Sequence, residues 1–254
     1  LVNPLMSCGA RLPIYLILIG AFFPKNRGLV LLSIYLVGIV LAVLMAKLFS
    51  KFLVKGESSP FVMELPPYRM PTGKSIFRHT WEKGEQYLKK MGTVILIASV
   101  IVWFLGAFPK GDYATEQEQQ ENSYIAAVGK AVEPALAPLG FDWKISVSLL
   151  SGMAAKEIVV STLGVLYTGD AESQESLQTR IKEDRQSDGS STFTPLTVIS
   201  LLLFVLIYFP CVATIAAIKE ESGSWKWGAF SIIYTTSLAW LISFATFQIG
   251  SLFL

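Results

Sequence analysis

Two cysteines stand near opposite ends of a 254-residue chain, each beside prolines in an apolar run: Cys8 in NPLMSCGARLP and Cys211 in YFPCVAT. A lone buried cysteine is most often a small apolar core residue. Here Pro210 must break the helix before Cys211, and Pro13 closes the segment that holds Cys8. Both thiols therefore fall where helical hydrogen bonds are interrupted and carbonyls are free to face a cavity. Their spacing is neither a disulfide framework nor a C-x-x-C ribbon, so if they act together the fold must bring them together. Thiolate is the form that binds metal. With the thioethers of Met6 and Met153 in segments of the same kind, the donor set suits a soft or borderline transition metal better than Mg²⁺ or Ca²⁺. Arg11 adds a fixed positive charge close to Cys8.

A second pair that could do chemistry is Lys156 and Glu157, in the middle of SGMAAKEIVVSTLG. A charge deep in a membrane helix costs at least about 2.5 kcal/mol on insertion scales and usually faces a bundle interior or an ion path. The plainer reading is a segment that starts near the interface, with Lys156 snorkelling and Glu157 paired to a loop arginine. Two other motifs carry less. PTGKS at 71–75 has Tyr68 where a phosphate loop needs its first glycine, and no strand precedes it. His79 is the single histidine and lies among charged residues, which argues against a His-based metal site or a Ser-His-Asp triad.

The elements that must position these residues are membrane helices. The chain is 52% hydrophobic and 16% charged, with a mean hydropathy of +0.52, against roughly one-quarter charged for an average soluble domain. A net charge of +2 offers no basic face for nucleic acid. Nothing at the start reads as a signal peptide, and the expectation is a fragment of a longer protein. Residues 29–49, 91–108 and 228–250 are uninterrupted apolar spans, while 12–23, 145–167 and 196–218 are short or interrupted by Pro13, Lys156–Glu157 and Pro210. Interrupted spans are what the broken, site-forming helices of transporters look like. The segment 51–90 carries eight Lys/Arg against four Glu, and 109–144 three Lys against six acids. The positive-inside rule puts the first in the cytoplasm and the second outside, so six crossings leave both ends cytoplasmic. Residues 74–91 form an amphipathic helix, and the polar stretch 168–192 reads as a flexible cytoplasmic loop. The predicted fold class is all-α: a polytopic transmembrane helical bundle with broken helices.

Four stretches carry a family resemblance: NPLMSCGARLPIY, ELPPYRMPTGKSIFRHTWEKGEQYLKKMGTVIL, SGMAAKEIVVSTLGVLY and YFPCVATIAAIKEESGSWKW. In this order they resemble the permease portion of the ferrous iron transport protein B family, from residue 3 to about residue 250. The resemblance implies paired Gate repeats. Residues 1–50 would hold the end of the first repeat and a following helix, 51–91 the cytoplasmic basic loop, 92–144 a transmembrane helix and external loop, and 145–254 the second repeat with a C-terminal helix. It also implies that the cysteines of the S-C-G-A-R-L-P and P-C-V-A-T motifs, Cys8 and Cys211 here, contact the transported ion.

The same resemblance implies Fe²⁺ as transported ion, a bacterial inner membrane, and a GTPase domain of G-protein type lying N-terminal to this portion. GTP and Mg²⁺ would belong to that domain, and this chain would hold no cofactor and be no enzyme. Small cytoplasmic accessory iron-transport proteins and a second copy of the chain are the further partners it allows. Two rival readings remain. A Gate-type carrier of nucleosides or other organic solutes would line its path with Asn, Gln, Ser and aromatics rather than thiols. A membrane thiol oxidoreductase would use the two cysteines as a redox pair, but would want C-x-x-C or a quinone-facing partner.

Overall fold

The computed structural model describes residues 1–53, 70, 72–109, 119, 122–168, 174–183 and 192–253. Ten α-helices are present among them: α1 (Leu12–Phe22), α2 (Arg27–Phe52), α3 (Gly73–Ala107), α4 (Tyr124–Leu136), α5 (Trp143–Ser151), α6 (Ile158–Thr168), α7 (Gln174–Glu183), α8 (Pro195–Ile207), α9 (Val212–Ser222) and α10 (Trp225–Phe253). Short 3₁₀ turns at Asn3–Leu5 and Gly9–Arg11 precede α1, and a third at Ala137–Leu139 follows α4. The described residues contain no strand, so the chain has the helical class that its composition predicts.

Helix starts follow local chemistry. Thr194, Asp142 and Ser123 cap α8, α5 and α4 by accepting from the amides of Thr197, Ile145 and Ala126 at 3.1, 2.8 and 3.3 Å. The 26 residues of α2 contain no proline and span about 39 Å at 1.5 Å per residue, enough for a hydrocarbon core of about 30 Å.

The core is built around α8, whose residues Val198, Leu201, Leu202, Val205, Leu206 and Ile207 are all nearly inaccessible. Its main partner is α10, with α1 and α2 on other sides. The α8–α10 seam is polar as well as tight. Ser200 Oγ donates to the carbonyls of Leu139 and Ser243 at 3.3 Å, and Ser243 Oγ donates back to the Ser200 carbonyl at 3.1 Å. Small and hydroxylated residues at such seams are how helices hold together where lipid supplies no hydrophobic drive. Ser200→Ala is expected to lower the stability of the detergent-solubilised protein by about 1 kcal/mol, read as a fall in thermal midpoint.

Outward faces are apolar instead. Leu29, Leu32, Leu36, Val40 and Val43 on α2 and Ile233, Leu241 and Ile249 on α10 are all exposed, which in water would be an aggregation liability and in a bilayer is the lipid contact. Among the described residues, four segments are long and apolar enough to cross a membrane: Asn3–Phe22, Arg27–Phe52, Pro195–Ser222 and Trp225–Leu252.

Two expectations need correction. Residues 74–91 and 91–108 are not two elements but one 35-residue helix, α3, because no proline interrupts the chain between Gly73 and Ala107; Phe77 and Trp81 stack on its exposed face. The stretch 168–192 is not a loop throughout. Within it α7 is folded onto α1 and α6, since Leu177 and Ile181, four residues apart, give it a buried stripe. Residues 145–167 are broken as expected, into two short helices, α5 and α6, with turns from Gly152 to Glu157 between them. Residues 54–69 and 71 of the basic loop, and 110–118 and 120–121 of the expected external loop, lie outside the described residues.

Candidate functional site

Three breaks in the helices meet at one place. In the first, the backbone extends at Met6 (ψ 136°) and at Cys8 (φ −105°, ψ 162°) between two 3₁₀ turns, and Pro13 stands in the first turn of α1, starting that helix rather than interrupting it. In the second, Tyr208 (ψ 173°) and Cys211 (φ −62°, ψ 157°) are extended around Pro210, separating α8 from α9. The third, between α5 and α6, runs through turns from Gly152 to Glu157. The second and third are joined by the backbone: Val212 N donates to the Met153 carbonyl at 3.2 Å.

Between them lies a cavity of about 160 Å³. Met6, Cys8 and Arg11 line it from the first break, Pro210 and Cys211 from the second, and Lys156 from the third. Thiols from the two ends of the sequence thus share one cavity. Cys8 is exposed and Cys211 half-buried, both free, so the cavity is open rather than sealed.

Arg11 and Lys156 are buried, at 3% and 4% exposure, and neither meets a carboxylate in the cavity. Arg11 Nη2 donates to the Pro4 carbonyl at 2.9 Å and Nη1 to the Met6 carbonyl at 3.1 Å. Lys156 Nζ donates to the Phe209 carbonyl at 2.6 Å and lies 3.2 Å from the ring centroid of Tyr208. Each cation thus satisfies carbonyls that a break has released from helical pairing. Lys156 does so from a segment distant in sequence, tying the third break to the second.

Other candidates lie elsewhere. Met153 sits in a separate apolar groove with Ile101, Leu105, Val128 and Leu150, and only its carbonyl bears on the cavity's frame. Glu157 is exposed and does not line the cavity. His79 is on the exposed face of α3, with Nδ1 3.8 Å from Glu82.

Four cavity residues escaped the sequence reading: Asn3, Pro4, Ser7 and Thr214. Thr214 was findable, because it follows Cys211 by three residues at the start of α9, where a cap and its partner meet; its Oγ1 is 3.2 Å from the Cys211 sulfur. Ser7 Oγ is buried and has no partner among the described residues. Nothing in the sequence marked Asn3.

Among the described residues no three His, Cys, Asp or Glu side chains converge to cage a metal ion. The cavity therefore offers two thiols, one thioether and a few neutral oxygens, an open and weak soft-donor set.

Comparison with known proteins gives the family. The model described as "Nucleoside recognition" (Gate) matches residues 88–225, more than half of the chain, and that described as "Ferrous iron transport protein B C terminus" matches residues 31–83. A Porphyromonas gingivalis protein named Fe(2+) transport protein A/Fe(2+) transporter FeoB fusion protein is 54% identical over all of this chain and 34% of its own length. Proteins named Fe(2+) transporter FeoB from Leptospira biflexa and Methanocaldococcus jannaschii are 41% and 38% identical over 99% of the chain, and 38% and 37% of their own lengths. The chain thus spans a little over a third of these curated relatives. No solved structure matches it significantly. By these matches the chain belongs to the ferrous iron transport protein B family, of which it carries the Gate and C-terminal regions.

Proposed function

We propose that this chain is the membrane-spanning part of an Fe²⁺ importer, and that Fe²⁺ is held transiently by Cys8 and Cys211 as it passes between the first and second breaks. The observation that carries this reading is the meeting of the two thiols in one cavity, joined to relatives named as Fe(2+) transporters. Thiolates favour a borderline ion such as Fe²⁺ over Mg²⁺ or Ca²⁺, and a two-thiol site holds its ion loosely enough to release it, as conduction requires. Met6 can add a thioether. Arg11 and Lys156 shape the site by holding the breaks, and Glu157 takes no direct part.

On this reading the chain performs no chemistry of its own. Energy coupling belongs to a GTPase domain of the whole protein, which sits in a bacterial inner membrane. A relative that carries Fe(2+) transport protein A in the same polypeptide points to a small accessory protein as partner.

A nucleoside carrier, which the name of the Gate model suggests, fits less well. A cavity of about 160 Å³ lined by thiols and cations falls short of the roughly 300–1,000 Å³ of organic-ligand pockets.

The test is Fe²⁺ uptake by cells whose only importer is the full-length protein. Cys8→Ser and Cys211→Ser are each expected to cut uptake about tenfold or more, since a neutral hydroxyl replaces a thiolate ligand. Undiminished uptake in both variants, with normal membrane levels, removes the ligand role.

A further inference from the structure

Resting on that transport reading, we infer that Lys156, together with Arg11, sets the ion specificity of the cavity by covering the backbone carbonyls that the helix breaks set free. Broken helices normally offer such carbonyls to a passing cation. A hard divalent cation wants six or more oxygen ligands.

In this cavity three of those carbonyls are intercepted. Arg11 takes the Pro4 and Met6 carbonyls at 2.9 and 3.1 Å, and Lys156 takes the Phe209 carbonyl at 2.6 Å. Among the side chains that line the cavity, an ion is left the pair of thiols, the Met6 thioether and the polar groups of Asn3, Ser7 and Thr214, short of the oxygen shell that Ca²⁺ or Mg²⁺ wants but with two good ligands for a softer ion.

The position of the Lys156 head is itself informative. A carbonyl oxygen on one side and the face of Tyr208 at 3.2 Å on the other are the two groups that attract a cation. The ammonium is a tethered cation seated on that carbonyl, in the place of a passing ion. It comes from a break other than the one it covers, so the bond is not a by-product of local helix geometry.

The charge and the covering can be separated by substitution. Lys156→Gln removes the charge but keeps an N–H donor for the Phe209 carbonyl; Lys156→Met removes both. The full-length protein is placed in liposomes, and Fe²⁺ influx is followed with Ca²⁺ or Cd²⁺ added as competitor. The wild type is expected to be inhibited by Cd²⁺ and to resist about a hundredfold excess of Ca²⁺. K156M is expected to become about tenfold more sensitive to Ca²⁺, with K156Q staying close to wild type.

A Ca²⁺ sensitivity unchanged in K156M overturns the inference, and so does a K156Q that shifts as far as K156M, which would leave only an effect of charge. If K156M does not reach the membrane, competition on the wild type decides. Inhibition by Ca²⁺ as strong as by Cd²⁺ overturns the inference, and resistance to Ca²⁺ with inhibition by Cd²⁺ supports it. A wild type with no Fe²⁺ influx overturns the transport reading and this inference with it.

Discussion

Arg11→Met is expected to abolish accumulation of the folded membrane protein, the largest effect of any single substitution in the first break. The Arg11 side chain is 3% exposed and makes two hydrogen bonds, to the Pro4 carbonyl at 2.9 Å and the Met6 carbonyl at 3.1 Å. Methionine has a similar length and fills much of the same space, so the loss is mainly one of polar partners. The Pro4 carbonyl, in a buried bond, costs about 1–3 kcal/mol when left without a donor, and the part-buried Met6 carbonyl costs less. Together they are a substantial fraction of a total stability of about 5–15 kcal/mol. The damage spreads because Leu5, fully buried, lies between those carbonyls and packs where Gly38 of α2 comes so close that a Cβ there would be 3.2 Å from the Leu5 carbonyl. Freeing residues 3–8 therefore loosens α2 as well. Arg11→Lys, with one compact head in place of a fork, can serve only one of the two carbonyls at full strength and should retain part of the protein. Expression followed by size-exclusion chromatography and thermal unfolding in detergent measures both variants. An R11M protein with wild-type yield and midpoint would show that the two bonds carry no weight.

Much of the architecture was legible before any coordinates, for reasons that lie in particular residues. Apolar runs such as 29–49 announce their own helices, and Pro210 announces a break because a proline without an N–H cannot continue α8. The proline-flanked thiols were visible for the same reason. What was not legible was the bonding of the cations. Lys156 beside Glu157 reads as a charged pair in the ion path, yet the structure turns Lys156 onto a carbonyl 53 residues away and leaves Glu157 outside. No local pattern encodes a partner so distant in sequence. Met153 misled in the opposite way. Its segment is a break like the other two, but its side chain points into an apolar groove, and only its backbone serves the site. The helix α7 was missed because a polar composition hid two apolar residues at a helical spacing, Leu177 and Ile181.

The close approach at Gly152 makes the strongest test of how the third break supports the second. A Cβ at this position would lie 2.3 Å from Val159 Cγ2 and 2.5 Å from the Tyr208 hydroxyl, well inside van der Waals contact. Gly152→Ala must therefore displace Tyr208 or α6, at an overpacking cost of about 1–3 kcal/mol. The displacement also reaches the site, because Tyr208 opens the second break and its ring lies against the Lys156 ammonium. Both the thermal midpoint and Fe²⁺ uptake are expected to fall. The cause can be isolated by making room. The Tyr208 hydroxyl is buried and has no partner among the described residues, so Tyr208→Phe removes an oxygen without orphaning a donor or acceptor and keeps the ring beneath Lys156. On its own that change should be close to neutral for stability. In the Gly152→Ala background, Tyr208→Phe with Val159→Ala should recover more than the separate effects predict, the signature of side chains in direct contact. Strict additivity of the three changes, measured as unfolding midpoints in detergent, would mean that the added methyl is accommodated elsewhere and that the two breaks are not packed against each other through this glycine.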